Sequence, residues 1–264
     1  MRRPILGCLT WLMLVTAASA APAAVTAPSA DKPTILVCGH SNYPPVSWTE
    51  AGALHGAGPM LAQEILTRLG YPVQLLDIGN WKRCLYEVKA GRVDLVAGAF
   101  PNAQRSRDMV FVPEYVIEEP IILFTQRARP IHFSSLDDLR GKTVGLLLGD
   151  IYGEPFDSFL ERNTHIEWVS TGAQNLGKLA LGRIDFMPIG AFSGHLQASR
   201  LGLSEWLIPV SHVVSNGHFH FGIAHDSPLL ADIDRINAEI LRLRASGQIE
   251  TLVDLASDDY LVKR

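Results

Sequence analysis

Residues 81–97, Trp81-Lys82-Arg83-Cys84-Leu85-Tyr86-Glu87-Val88-Lys89-Ala90-Gly91-Arg92-Val93-Asp94-Leu95-Val96-Ala97, decide how the chain folds. Trp81 to Ala90 reads as a helix stopped by Gly91, and Val93 to Ala97 follows as a buried strand. The same alternation runs upstream. Thr34 to Cys38 is a short strand; Met60, Leu61, Ile65, Leu66 and Leu69 share one helical face that Gly70 ends; Val73 to Leu76 is the next strand. Strand, helix, strand, helix, strand implies a parallel sheet with helices on its faces.

The pattern returns after Gln126. Lys142 to Leu148 reads as a strand, Tyr152 to Arg162 as a helix, Ile166 to Val169 as a strand, Ala173 to Leu181 as a helix and Ile184 to Pro188 as a strand. Two such runs predict two similar lobes, each with its own sheet. Phe219 to Ala224 reads as a further strand, Pro228 to Ala245 as a long amphipathic helix and Ile249 to Leu255 as a shorter one.

Export is read from the start of the chain. Arg2 and Arg3, the apolar run Ile5 to Ala17 and the small residues Ala18-Ser19-Ala20 have the three-part layout of a cleaved signal peptide, residues 1–20. Residues 21–33, rich in Ala and Pro, read as a flexible leader. No later stretch has the roughly eighteen consecutive apolar residues of a membrane span. The net charge of −4 becomes −6 without the signal's two arginines, and this mild acidity argues against a nucleic-acid or anionic-membrane partner. Cys38 and Cys84 survive cleavage. An oxidising compartment permits a disulfide between them, but sequence does not show whether their Cα atoms approach, and two small buried thiols remain the other reading.

Several local patterns resemble the family 3 extracellular solute-binding proteins, the periplasmic receptors of polar amino-acid ABC transporters. Asn42-Tyr43-Pro44-Pro45 follows the first strand; Gly91-Arg92-Val93-Asp94-Leu95 and Gly182-Arg183-Ile184-Asp185 match its glycine–aspartate turns; Arg105 precedes Phe111, Pro113 and Tyr115; Leu136 to Gly145 matches the start of its second lobe. The resemblance covers about residues 34–257, and Trp81-Lys82-Arg83-Cys84 is similar to one subgroup. It implies a two-lobed, periplasmic-binding-protein-like (type II) α/β fold, each lobe a mixed sheet flanked by helices, with the cleft between lobes. Lobe one would be 34–126 plus 223–264 and lobe two 127–222, with hinge segments near 124–130 and 219–225.

By that resemblance Arg105 binds a ligand carboxylate, a task its rigid, permanently charged fork suits. Tyr43 would be a stacking surface at the carboxyl end of the sheet. Trp48 and Trp81 could extend that wall. Phe100 follows Ala97-Gly98-Ala99, where Gly98 would let a ligand meet the backbone. His40 lies at the same strand end. In lobe two, Asp150, Ile151 and Tyr152 lie between a strand and a helix whose N-terminus would offer free N–H groups. Here the chain departs from the amino-acid binders, which usually carry Ser or Thr at the positions of Asp150 and Ile151. They also place an acid five residues after the second-lobe aspartate to pair with the ligand ammonium; counted from Asp185, that position is Gly190. Asp94 and Asp185 read as structural.

No nucleophile elbow, nucleotide fingerprint or metal-binding helix motif stands out. His218 and His220 share one strand face and could hold a metal together, although a hydrogen-bonded or solvated face is the plainer reading. The expectation is a non-enzymatic, monomeric periplasmic binder without cofactor, delivering a small carboxylate-bearing solute to an inner-membrane permease. The alternatives are a sensory receptor and, less favoured, a dehydratase of prephenate-like acids using Asp150 or Glu154.

Overall fold

The computed structural model describes residues 32–262. The expected signal peptide and nearly all of the expected leader lie outside them. In chain order the strands are β1 Ile35–Cys38, β2 Asn42–Tyr43, β3 Ser47–Glu50, β4 Ala53–His55, β5 Val73–Leu75, β6 Leu95–Ala99, β7 Val110–Phe111, β8 Ile117–Gln126, β9 Thr143–Leu147, β10 His165–Val169, β11 Phe186–Gly190 and β12 Leu207–Ile223. The α-helices are α1 Ala57–Arg68, α2 Trp81–Lys89, α3 Arg105–Asp108, α4 Phe156–Asn163, α5 Gly172–Ala180, α6 Ala191–Arg200, α7 Ile233–Ala245 and α8 Gln248–Val262. Among the described residues no helix is long and apolar enough to cross a membrane.

The fold is the expected two-lobed α/β arrangement. In the first lobe β1 pairs in parallel with β5 and β6; in the second, β9 pairs in parallel with β10 and β11. Each glycine–aspartate turn secures a strand start. Asp94 accepts hydrogen bonds from Leu36 N and Ser227 Oγ, both at 2.9 Å, and Asp185 accepts one from Thr143 N at 2.7 Å. Both aspartates are structural, as expected.

Two long antiparallel strands join the lobes. β8 and β12 pair from Ile117↔Phe219 to Gln126↔Leu207, and β12 continues onto β6 through Phe221 to Ile223. Sequence marked only Phe219 to Ala224 of β12. Pro209 and the mixed stretch Ser211-His212-Val213-Val214-Ser215-Asn216 hid the rest, because a two-stranded crossover is half solvated and lacks a continuous apolar face. β8 also pairs along Ile121–Thr125 with β11, so this stretch belongs to the second-lobe sheet.

Two helix readings are corrected. The stretch from Tyr152 is not helical at its start: α4 begins at Phe156, after Pro155, because Asp157 folds back to accept Tyr152 N and Gly153 N at 3.0 Å. The last helix extends to Val262 and packs on α1, α6 and α7. Cys38 and Cys84 form a disulfide, with Cα atoms 5.9 Å apart, that pins α2 to β1.

Candidate functional site

Arg105 starts α3, where the Asn102 side chain accepts its backbone N–H at 2.7 Å. Arg105 is 7% exposed, and its guanidinium lies at the junction of the lobes. One arm donates to Phe100 O at 2.8 Å in lobe one, the other to Gly149 O at 2.8 Å in lobe two, and the group sits over the Trp81 ring, 5.4 Å from its centroid. Burial pushes the guanidinium pKa down to about 10, partly offset by Asp150 and Asp157, so it stays charged near neutrality. Its hydrogen bonds are to backbone carbonyls rather than to an acid. A ligand carboxylate could take the place of Gly149 O with a gain in charge–charge attraction.

The first-lobe residues named from sequence, Trp48 excepted, gather beside Arg105. Trp81, the first residue of α2, donates from Nε1 to Gly149 O at 3.2 Å and packs against His40 at 5.0 Å between rings. Tyr43 meets His40 and Phe219 edge-on, and its hydroxyl accepts Gly190 N at 2.9 Å across the lobes. Phe100 lies on Phe219, ring centroids 4.1 Å apart. A side chain at Gly98 would press on Val46, 3.0 Å from its Cβ. Trp48 is not part of this wall: it stacks on His55 and meets Tyr260 edge-on instead.

The second-lobe wall differs from expectation. Gly149 takes a φ of +94°, a conformation suited to glycine, which turns its carbonyl to both Arg105 and Trp81. Asp150 does not cap α4; its Oδ1 lies 3.0 Å from His40 Nε2, and both side chains are 6% exposed. The Tyr152 and Gly153 N–H groups, expected to be open to a ligand, are taken by Asp157. Ile151 and Tyr152 line the seam.

His40, Tyr43, Trp81, Gly98, Phe100, Arg105, Asp150 and Ile151 thus converge, but around a space of about 20 Å³. That is about one water's worth of room. Beside it, sharing Phe100 and Ile151, lies a cleft of about 620 Å³, within the range of small-molecule sites. Its lining includes Glu154, Asp157, His218 and His220, and no Lys or Arg. His218 stacks on Tyr115 at 4.6 Å and His220 contacts Val112 O at 3.0 Å, the plainer of the two readings for this pair.

Sequence reading missed Glu119. This acid of β8 is 0% exposed, accepts Ser193 N at 2.7 Å at the start of α6, and is pushed up to about 8 by burial. Strand alternation was the available signal, since it puts Glu119 on the same face as buried Ile117 and Ile121.

Comparison with known proteins agrees with this architecture. The arginine-binding extracellular protein ArtP of Bacillus subtilis (strain 168) is 26% identical over 151 residues, 54% of this chain and 58% of that protein. The matched stretch therefore spans less than two thirds of that relative. A histidine kinase sensor domain described as similar to periplasmic binding proteins superposes with a TM-score of 0.72 at 25% identity, covering 83% of this chain and 93% of that one. An amino acid ABC transporter substrate-binding protein, AbpA from Streptococcus pneumoniae, bound to L-arginine, superposes at 0.74 with 20% identity over 86% of this chain and 96% of that one. The family model described as bacterial extracellular solute-binding proteins, family 3, matches residues 35–255, and the chain belongs to that family.

Proposed function

We propose that this protein is a periplasmic receptor that closes on a small carboxylate-bearing polar solute and presents it to an inner-membrane permease for ABC-type uptake. It works as a monomer, without cofactor or catalytic step, after removal of its signal peptide. The observation that carries this reading is Arg105, a buried cation at the seam with a backbone carbonyl of each lobe in its fork. Tyr43, Trp81, Gly98 and Phe100 form the first-lobe wall; Asp150, Ile151 and Tyr152 close from the second. Lobe one comprises residues 34 to about 119 plus the C-terminal part, with crossings nearer 117–120 and 215–219 than the segments expected from sequence, because β8 is already paired with β11 at Ile121.

L-Arginine is the first solute to test. Two similar proteins are described as arginine-binding or arginine-bound, and the cleft beside the anchor is lined by Glu154 and Asp157 with no Lys or Arg. A thermal-shift screen over amino acids, opines, polyamines and organic acids reads binding directly, since a ligand of the folded state raises the melting temperature. Carboxylates should be the hits. Arg105→Ala should weaken them by about 2–4 kcal/mol, roughly 30- to 1000-fold. Hits of unchanged affinity in that variant would remove the anchor.

The likeness to a kinase sensor domain supports a second reading, a receptor that reports its ligand rather than delivering it. Uptake of labelled ligand by cells lacking the gene separates the two: it is lost for a transport receptor and intact for a sensor.

A further inference from the structure

Away from Arg105 the two lobes meet again, around a cavity of about 290 Å³ that shares no lining residue with the cleft or with the space beside the anchor. Its volume is at the lower edge of the range of small-molecule sites. Phe192, in the first turn of α6, borders it from lobe two. Ile249 and Val253 of α8 border it from lobe one, and Tyr115 to Glu118, at the entry to β8, complete it. Phe192 is a large aromatic side chain that is 53% exposed and belongs to none of the buried clusters. Lobe two thus presents an apolar ring to a helix of lobe one with room left between them.

The charges around this cavity are one-sided. Glu250 and Asp254 stand one turn apart on the same face of α8, where like charges destabilise a helix. Among the described residues neither has an ion-pair partner. Glu118 lines the same cavity, 3.5 Å from His218. Arg244 is the single Lys or Arg of the lining, and it is engaged elsewhere. It donates to Glu114 Oε2 at 2.8 Å and to Tyr115 O, and its guanidinium lies 3.9 Å from the centroid of the Tyr115 ring. An apolar hollow rimmed by two unpaired acids suits a ligand with an apolar body and one positive charge, and it repels a carboxylate.

We propose that this cavity is a second ligand site, for an amine with an aromatic or aliphatic body and no carboxylate, and that its occupant favours the closed arrangement of the lobes. The body fills the space between Phe192 and α8, and the ammonium lies between Glu250 and Asp254. The turn of α6 that carries Phe192 also carries seam contacts: Gly190 N donates to Tyr43 Oη at 2.9 Å and Ser193 N to Glu119 at 2.7 Å. The wall of the cavity and the seam therefore move as one piece. A ligand that touches α6 and α8 together binds the closed form better than the open one, and this difference shifts the equilibrium toward closure. The receptor would then answer to a regulator distinct from its solute.

Titration calorimetry with phenethylamine tests the site, and hydrocinnamate, with the same ring and the opposite charge, is the control. Wild type should bind the amine and not the acid. Phe192→Ala removes a half-exposed side chain outside the cores, so it should melt as wild type does while binding the amine about tenfold more weakly. Glu250→Gln/Asp254→Asn, at two exposed positions, should weaken it about fivefold. The Gly190 amide reports closure, because its bond to Tyr43 is broken when the lobes part. With the amine at about ten times its dissociation constant, hydrogen exchange of that amide should slow about tenfold. No binding to wild type, equal affinity for the two probes, or an affinity unchanged in Phe192→Ala overturns the site. Exchange that is unchanged or faster overturns its link to closure. Amine binding lost in Glu154→Gln and kept in Phe192→Ala places the amine in the cleft and also overturns the proposal. None of these outcomes depends on Arg105, so failure of the anchor in the carboxylate screen leaves this test standing.

Discussion

At the scale of single residues, two of the buried ionisable groups near the seam, Arg105 and Glu119, stand in opposite situations. Arg105 remains charged because its arms reach carbonyls. Glu119 is driven toward neutrality, its pKa rising from the ordinary 4.5 to about 8. A group with a raised folded-state pKa stabilises fully below its unfolded value and loses that stabilisation as pH rises through the folded one. Glu119→Gln mimics the protonated acid at every pH. Wild type and variant should therefore unfold alike near pH 4.5, and the variant should become the more stable as pH climbs to 8, by about 2–5 kcal/mol. Denaturant melts at pH 4.5 and pH 8.5 check this; a constant difference would mean that folding does not raise the Glu119 pKa. Arg105 was legible because a recognisable segment follows it, whereas Glu119 was not, since Glu118-Glu119 looks like a solvated pair until strand alternation is applied to it.

At the scale of elements the site depends on where helices begin. α2 begins at Trp81 because the Asn80 side chain accepts Arg83 N at 3.0 Å, and the disulfide from Cys84 to Cys38 then fixes the helix beside β1. Trp81 is thereby placed against His40, Arg105 and Gly149. The bridge closes a 46-residue separation, so Cys38→Ser/Cys84→Ser should cost about 2–4 kcal/mol. The variant should also bind ligand more weakly at temperatures where it is still folded, because Trp81 loses its tether. Thermal melts and titrations with and without reductant measure both effects; a melting point insensitive to reductant in wild type would refute the first. Periodicity found α1, α2 and α5 within a few residues, because each has an apolar face and a glycine just past its end. It misplaced the start of α4, where Asp157 competes for the backbone donors that would have extended the helix. It did not find α6, whose stretch Ala191-Phe192-Ser193-Gly194-His195 lacks a clear apolar stripe.

At the scale of the whole molecule the doubled strand–helix pattern was enough to give two lobes, but the degree of closure depends on contacts between residues far apart in sequence. His40–Asp150, Trp81–Gly149, Arg105–Gly149, Tyr43–Gly190 and Arg200–Glu50 all cross the seam. They hold the lobes so near each other that about 20 Å³ remains around the anchor. A solute must therefore bind a more open form, and each seam bond, worth about 0.5–1.5 kcal/mol net, lowers the fraction of molecules competent to receive it. Asp150 tests this cleanly. Its partner His40 is as buried as it is and keeps only the bond from Asn42 N to Nδ1, so Asp150→Ala leaves Nε2 unpaired in the seam, where opening would hydrate it. The ligand-free variant should scatter as a larger particle than wild type, whose expected radius of gyration is about 17 Å for a compact chain of this size. It should also associate with ligand faster, because Gly149 O then competes less often for the Arg105 fork. Saturating ligand should bring both proteins to the same radius. Identical ligand-free scattering would mean that the His40–Asp150 pair does not hold the lobes together, and that the closed seam is set by packing of the aromatic wall instead.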